Sequence, residues 1–194
     1  MSQMQASWAL ARSTPSWIRT AGIALGASLF IAVCSHIALP LWFTPVPLTL
    51  QPFAVLLVGL LLTPRNAAVA CLAYLAEGAL GLPVFAPGLA FSAGLAHLLG
   101  PTGGYLMSYP VAAPLASFLW RRSPRSYWMA LASAIAGNAL ILASGAVWLA
   151  GWTHASMRAT LSLAVLPFLP GDALKVAAAA ALVCTWQRFN SRIR

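Results

Sequence analysis

The chain has too few charged residues to cover the surface of a soluble protein of its length. Of its 194 residues, 61% are hydrophobic and 7% are charged, whereas a soluble domain averages about 25% charged residues. The formal net charge of +9 comes mainly from arginines that cluster between apolar segments and at the chain ends, not along one basic face. The composition therefore excludes a water-soluble form and argues against a nucleic-acid-binding protein.

Six apolar segments follow one another along the chain and predict an all-α integral membrane protein with six transmembrane helices. The segments are 21–39, 51–63, 67–80, 103–120, 127–149 and 172–188. We expect a single transmembrane domain over 1–194, with an N-terminal segment (1–20), a six-helix bundle (21–189) and a basic C-terminal tail (190–194). The second and third segments are shorter than the ~20 residues of an upright span.

The arginines predict the orientation of this bundle. With six spans, both termini and the second and fourth connections lie on one side of the membrane. That side carries nine of the ten arginines, and the other side carries only Arg158. Because arginine and lysine accumulate in cytoplasmic loops, both termini are predicted to be cytoplasmic.

The three connections on the outer side have a different composition from those on the inner side. They cover about 40–50, 81–102 and 150–170, and they are long, apolar and rich in proline, glycine and aromatic residues. Such segments are poorly suited to be solvated linkers, so we expect them to fold over the bundle as lids or re-entrant segments. The functional site is therefore predicted at the outer face.

The last apolar segment contains two opposite charges. Lys175 follows Asp172 by three residues, so both side chains project from one helical face. One alternative is that Asp172 caps the helix or complements the positive end of its dipole, and another is that the pair is purely structural. A cation in the first turn opposes the helix dipole, however, and a charge at mid-membrane costs about 2.5–3.5 kcal/mol. We therefore predict that the pair binds a ligand.

The chemistry of the pair indicates the type of ligand. A carboxylate only accepts hydrogen bonds and an ammonium only donates them. Together they suit a small molecule that carries N–H donors beside a carbonyl or carboxylate, such as a urea or amide ring. Binding of this molecule would complete the pairing of two charges that are costly to bury alone.

The remaining polar residues indicate neither a metal site nor an enzyme. Glu77 lies near the outer end of the third segment, as an interfacial carboxylate or a functional group, and Asn138 is expected to bond across helices. The three histidines are scattered, and Walker A, GxSxG and HExxH motifs are absent from the sequence. We expect no metal, no catalytic residues and no cofactor.

Three outer-side motifs carry a family resemblance. They are PVPLTLQ at 45–51, GLPVF at 81–85 with GPTGGY at 100–105, and PGDALK at 170–175. Together they resemble the BioY family, the biotin-binding S components of energy-coupling factor (ECF) transporters, from about residue 25 to 188. The resemblance implies a six-helix S-component fold and high-affinity biotin capture at a bacterial cytoplasmic (inner) membrane. It also implies a transmembrane coupling protein and two ATP-binding subunits as partners.

The resemblance also implies a set of ligand contacts. The Asp and Lys of the family's PGD-x-x-K motif fall on Asp172 and Lys175, and Ser92 is a substitute for an asparagine that some relatives carry in the second connection. Independently of the resemblance, we expect aromatic packing on the ligand from Trp42, Phe43, Phe85 and Tyr105, with the alternative that each belongs to the aromatic belt at the membrane interface. The predicted substrate-binding residues are Asp172, Lys175, Tyr105, Phe85, Gln51, Thr49, Ser92 and Trp42.

Other functions remain open on the sequence alone. One alternative is an S component for another small vitamin. A second is a self-sufficient, proton-coupled secondary carrier that uses Asp172 or Glu77. An intramembrane enzyme is a third alternative, and it requires a second polar cluster that meets Asp172 in the fold.

Overall fold

The computed structural model describes residues 15–87 and 94–192, and within these ranges the chain is built of helices with one small strand pair. The helices are α1 (Ser16–His36), α2 (Gln51–Leu61), α3 (Pro64–Ala79), α4 (Leu95–Leu98), α5 (Gly103–Arg122), α6 (Tyr127–Thr153), α7 (Met157–Ala164) and α8 (Leu169–Arg192). The strands β1 (Ala38–Leu39) and β2 (Leu48–Thr49) pair antiparallel, with Ala38 opposite Thr49. The all-α class is therefore confirmed, with a two-residue strand pair added to it.

Each predicted apolar segment coincides with a helix, but the helices of the first and last segments begin and end at other residues than predicted. Helix α1 begins at Ser16, directly after Pro15, and ends at His36. The predicted span continued to residue 39, yet Leu39 lies in β1, in keeping with the restriction that Pro40 places on the residue before it. Helix α8 begins at Leu169 and continues to Arg192, so that most of the predicted tail 190–194 is helical.

Three helices in the described part of the chain are long and apolar enough to cross a membrane. They are Ser16–His36, Tyr127–Thr153 and Leu169–Ser191. Helix α2 is equally apolar in character but has 11 residues, and the 20-residue α5 contains two internal prolines, Pro110 and Pro114. These properties identify the chain as a helical membrane protein.

Helix α5 has the most extensive packing of the described helices. It packs against α2, α3, α4 and α6, whereas α8 packs against α2 and α6, and α1 packs against α3 and α2. Small residues allow the close contacts: a side chain at Gly59 would collide with the backbone of Ala113, and one at Gly137 would meet Leu56 and Ala116. Close packing through glycine and alanine is typical of helices in membranes.

Candidate functional site

A cavity lies where the three connections that were predicted to be on the outer side meet the first turns of α2, α5 and α8. The described residues of all three connections contribute to its wall, among them Pro47, Thr49, His97, Thr102 and Phe168. The centres of water molecules can occupy about 50 Å³ of this cavity. This space is enough for a few water molecules. All three connections thus converge on one narrow space.

Asp172 and Lys175 lie in the wall of this cavity and contact each other. The Lys175 ammonium Nζ is 2.8 Å from Asp172 Oδ1, and Lys175 and Asp172 are 8% and 4% exposed. The predicted pairing on one helical face is confirmed, and both charges point into the protein instead of towards lipid. Contact with a ligand stays a prediction.

A third polar residue completes this cluster. Asn138 of α6 donates a hydrogen bond from Nδ2 to Asp172 Oδ2, at 3.1 Å, and is 7% exposed. The two oxygens of the carboxylate are therefore bound by different side chains from two helices. The predicted bond of Asn138 across helices is confirmed, and we refer to the three residues as the Asn138–Asp172–Lys175 cluster.

The local sequence explains why Asp172 lies inside a helix and not at its cap. Pro170 is the second residue of α8, where its missing N–H costs no intrahelical bond. The backbone N–H of Asp172 donates to the carbonyl oxygen of Phe168, at 2.8 Å. Its carboxylate is bound by side chains, so capping of the helix by Asp172 was wrong as a prediction. Its position in the first turn of α8 agrees with the other half of that alternative, a carboxylate near the positive end of the helix dipole.

Thr49 and Gln51 also line the cavity. Gln51 Nε2 donates to the Tyr74 hydroxyl at 2.7 Å, and this hydroxyl donates to the carbonyl oxygen of Val84 at 2.9 Å. Thr49 Oγ1 accepts a hydrogen bond from the backbone N–H of Gln51, at 3.3 Å. This chain of bonds fixes the start of α2 against α3 and the second connection.

The predicted aromatic residues have different positions relative to the cavity. Tyr105 lines it. Phe85 lies behind the wall, where its ring stacks on the ring of His97 with centroids 5.0 Å apart and occupies the space that a side chain at Gly78 would need. Trp42 is 93% exposed and its ring meets Phe43 edge-on, so the structure places it away from the cavity.

One predicted residue, Ser92, lies outside the described residues. Glu77, which the carrier alternative invoked, is not part of the cavity wall. Its Oε1 accepts a hydrogen bond of 2.8 Å from the hydroxyl of Ser28, and this bond links α3 to α1.

Sequence reasoning did not identify several residues of the wall. His97, Thr102 and Tyr109 line the cavity but were not predicted to do so. Tyr109 follows Tyr105 by four residues and therefore shares its helical face, a spacing that was available from the sequence. Thr102 belongs to the GPTGGY motif at 100–105, whereas His97 carries no such signal, because the fold of the second connection alone brings it to the cavity.

The fold and the cavity together define a helical membrane protein with a buried polar cluster at one end of its bundle. Comparison with known sequences assigns it more closely: the chain belongs to the BioY family, whose sequence profile matches residues 4–192.

Curated relatives and one solved structure resemble the chain over most of its length. The "Probable biotin transporter BioY" of Pyrococcus horikoshii is 40% identical over 153 residues, which cover 78% of this chain and 88% of that protein. The "Biotin transporter BioY" of Thermotoga maritima is 37% identical, over 77% and 85% of the two chains. A 2.1 Å crystal structure of the S-component for biotin from an ECF-type ABC transporter covers 97% of this chain and 95% of its own, with a TM-score of 0.79 and 24% identity. This structural likeness shows a shared fold.

Proposed function

We propose that this protein captures biotin and takes part in its uptake across the cytoplasmic membrane, as the substrate-binding S component of an ECF transporter. The observation that carries the proposal is the buried pair of Asp172 and Lys175 in the wall of the cavity. Membership of the BioY family supports it, since curated relatives bear the name biotin transporter.

The chemistry of the cavity suits biotin. The ureido ring of biotin offers N–H donors and a carbonyl acceptor, and its side chain ends in a carboxylate. Asp172 accepts hydrogen bonds and Lys175 donates them, so the pair matches both kinds of group. Apolar wall residues such as Leu106, Ile141 and Phe168 provide the surface against which the sulfur ring and the aliphatic chain would pack.

We further propose six membrane spans with both termini in the cytoplasm and the three outer connections as lids. The six longer helices, α1, α2, α3, α5, α6 and α8, correspond to the six apolar segments, and Arg121, Arg122 and Arg188 lie near the ends that the positive-inside rule assigns to the cytoplasm. The lids are supported by the narrowness of the cavity, because a guest larger than a few waters enters only if part of the wall moves.

Uptake by an S component requires partners. We propose a transmembrane coupling protein and two ATP-binding subunits, in a bacterial cytoplasmic (inner) membrane. In this arrangement the chain recognises and releases the vitamin, the partners supply the energy, and no covalent chemistry is assigned to the chain.

The first experiment identifies the ligand. The protein is purified in mild detergent, bound small molecules are identified by native mass spectrometry, and affinity is measured by calorimetry for biotin and, as a comparison vitamin, thiamine. Tight binding of biotin without binding of thiamine supports the proposal. Folded protein that does not bind biotin contradicts it, and thiamine binding would favour an S component for another vitamin.

A second experiment separates an S component from a secondary carrier. Liposomes that contain this chain alone are given labelled biotin with and without an inward proton gradient. We expect biotin to bind but not to accumulate. Accumulation that depends on the gradient would favour the proton-coupled carrier.

A further inference from the structure

The amide of Asn138 is only half paired. Its Nδ2 binds Asp172, but within residues 15–87 and 94–192 no group makes a hydrogen bond to its Oδ1, which is buried from solvent. A buried acceptor without a partner costs about 1–3 kcal/mol, and most buried polar atoms in proteins are paired. The free oxygen therefore calls for an explanation.

The orientation of the amide follows from the chemistry of its neighbour. The carboxylate of Asp172 forms an ion pair with Lys175 and in that state only accepts hydrogen bonds. The Asn138 nitrogen must therefore face Asp172, and the carbonyl oxygen must face elsewhere. Reversing the amide would place two acceptors against each other.

Asn138 lies directly behind the cavity wall and is not itself one of the wall residues. Ile141 and Leu142 of the same helix line the cavity wall, and residues three and four apart lie on one face of a helix. Asp172, the hydrogen-bond partner of Asn138, also lines the cavity. Asn138 therefore lies on the same face of α6 as Ile141 and Leu142, one helical turn away from them, and it contacts the wall residue Asp172.

A purely structural role explains the paired nitrogen of Asn138 but not its buried oxygen. A hydrogen bond between membrane helices is worth about 0.6 kcal/mol on average, which does not offset an acceptor buried without a partner. A hydrogen bond from another group to this oxygen would remove the cost of the unpaired acceptor.

We propose that Asn138 Oδ1 accepts a hydrogen bond from an N–H group of the guest and that Asn138 is a specificity-determining residue. The identity of the guest rests on the proposed function. The cluster then presents two acceptors, Asp172 and Asn138, and one donor, Lys175. A cyclic urea carries the complementary set of two N–H donors and one carbonyl acceptor, so both of its nitrogens are recognised.

The test combines protein variants with ligand analogues. The ligands are biotin and the two analogues that carry a methyl group on one or the other ring nitrogen. We define nitrogen selectivity as the Kd of an analogue divided by the Kd of biotin, measured by calorimetry. The wild-type protein is expected to bind each analogue at least tenfold more weakly than biotin. An analogue that binds as tightly as biotin would overturn the proposal, whatever the variants do.

The variant Asn138→Leu keeps a similar volume and cannot accept a hydrogen bond. We expect it to bind biotin at least tenfold more weakly and to lose selectivity at one of the two nitrogens. Ser133→Ala is the matched control, since Ser133 is a buried polar residue of α6 that bonds within its own helix, to the carbonyl oxygen of Met129. It should keep the affinity and both selectivities.

The outcomes separate this proposal from the proposed function. Folded wild-type protein that does not bind biotin contradicts the proposed function. Wild-type binding of biotin, with both selectivities unchanged in Asn138→Leu, contradicts the role of Asn138 alone. If the variant does not fold, an analogue that binds the wild-type protein as tightly as biotin still contradicts the role of Asn138.

Discussion

The hydroxyl of Tyr105 donates a 2.6 Å hydrogen bond to the carbonyl oxygen of Ala164, and this bond joins the first turn of α5 to the last residue of α7. The ring of Tyr105 is part of the cavity wall and meets the ring of Phe168 edge-on, with centroids 6.3 Å apart. A second hydrogen bond reaches the same segment, because Thr44 Oγ1 donates to the carbonyl oxygen of Leu163 at 2.9 Å. The first and third connections are thus held together beside the cavity.

Loss of the Tyr105 hydroxyl is expected to speed the release of biotin. Tyr105→Phe removes a hydrogen bond worth about 0.5–1.5 kcal/mol, so we expect a dissociation rate that is roughly two- to twelvefold higher, measured by chase of labelled biotin. Tyr127→Phe is the control, since Tyr127 lies at the start of α6, away from the cavity. A dissociation rate equal to that of the wild type would contradict the role of this bond in retaining the ligand.

Thr44→Val tests the other bond to the same segment. Valine has a similar shape but no hydroxyl, so the first connection loses its bond to Leu163. We expect faster release again, and the double variant Thr44→Val/Tyr105→Phe should deviate from additivity because both bonds hold neighbouring residues of one segment. Thr185→Val, at an exposed position of α8, should leave release unchanged. Strict additivity would indicate that the two bonds act independently.

Variants of the Asp172–Lys175 pair are expected to change thermal stability and biotin affinity to different extents. Lys175→Met leaves a buried carboxylate without its counter-ion, and removal of one partner of a buried pair typically costs about 3–5 kcal/mol. The double variant Asp172→Asn/Lys175→Met removes both charges, so it should melt nearer to the wild-type temperature while biotin affinity stays at least tenfold lower. Thermal unfolding in detergent and calorimetry measure the two effects.

Arg158→Met is the matched control for this experiment, because Arg158 is an exposed cation on α7. It should alter neither the melting temperature nor the affinity. If the double variant Asp172→Asn/Lys175→Met binds biotin as tightly as the wild-type protein, the assignment of the binding site to this pair is contradicted.

Gly145 is predicted to be intolerant of any side chain. A Cβ atom at this position would overlap the ring of Tyr105, so Gly145→Ala must displace the ring or separate α5 from α6. We expect a loss of about 1–3 kcal/mol of stability together with weaker biotin binding. Gly151 lies on the same helix, and a Cβ atom there would meet no atom within 4 Å, so Gly151→Ala should be neutral or slightly stabilising. Equal melting temperatures for the two variants would contradict this packing argument.

The sequence was most informative where the signal was local. The six apolar segments were recognisable because membrane spans need long runs of apolar residues, and the pairing of Asp172 with Lys175 followed from a spacing of three residues on a helix. Helix ends were predicted less well. The helical turn that starts α8 at Leu169 contains Pro170 and Gly171, two residues that in a sequence favour a break before the helix.

Contacts between residues far apart in the chain could not be predicted from the sequence. The bond between Asn138 and Asp172 joins residues 34 positions apart, and only the packing of α6 against α8 determines it. The same holds for His97, which the second connection brings to the cavity, and for Trp42, whose neighbours in the sequence gave no sign that it faces outward. An apolar aromatic residue near a membrane surface looks the same in either position.

The charge pair has a consequence for the biogenesis of the last helix. Asp172 and Lys175 lie within one turn of α8 and form their ion pair without help from another helix. The segment can therefore enter the bilayer with its two charges already neutralised, which reduces the insertion penalty that each would carry alone. Had the partners been divided between two helices, each helix would have crossed the translocation machinery with an uncompensated charge.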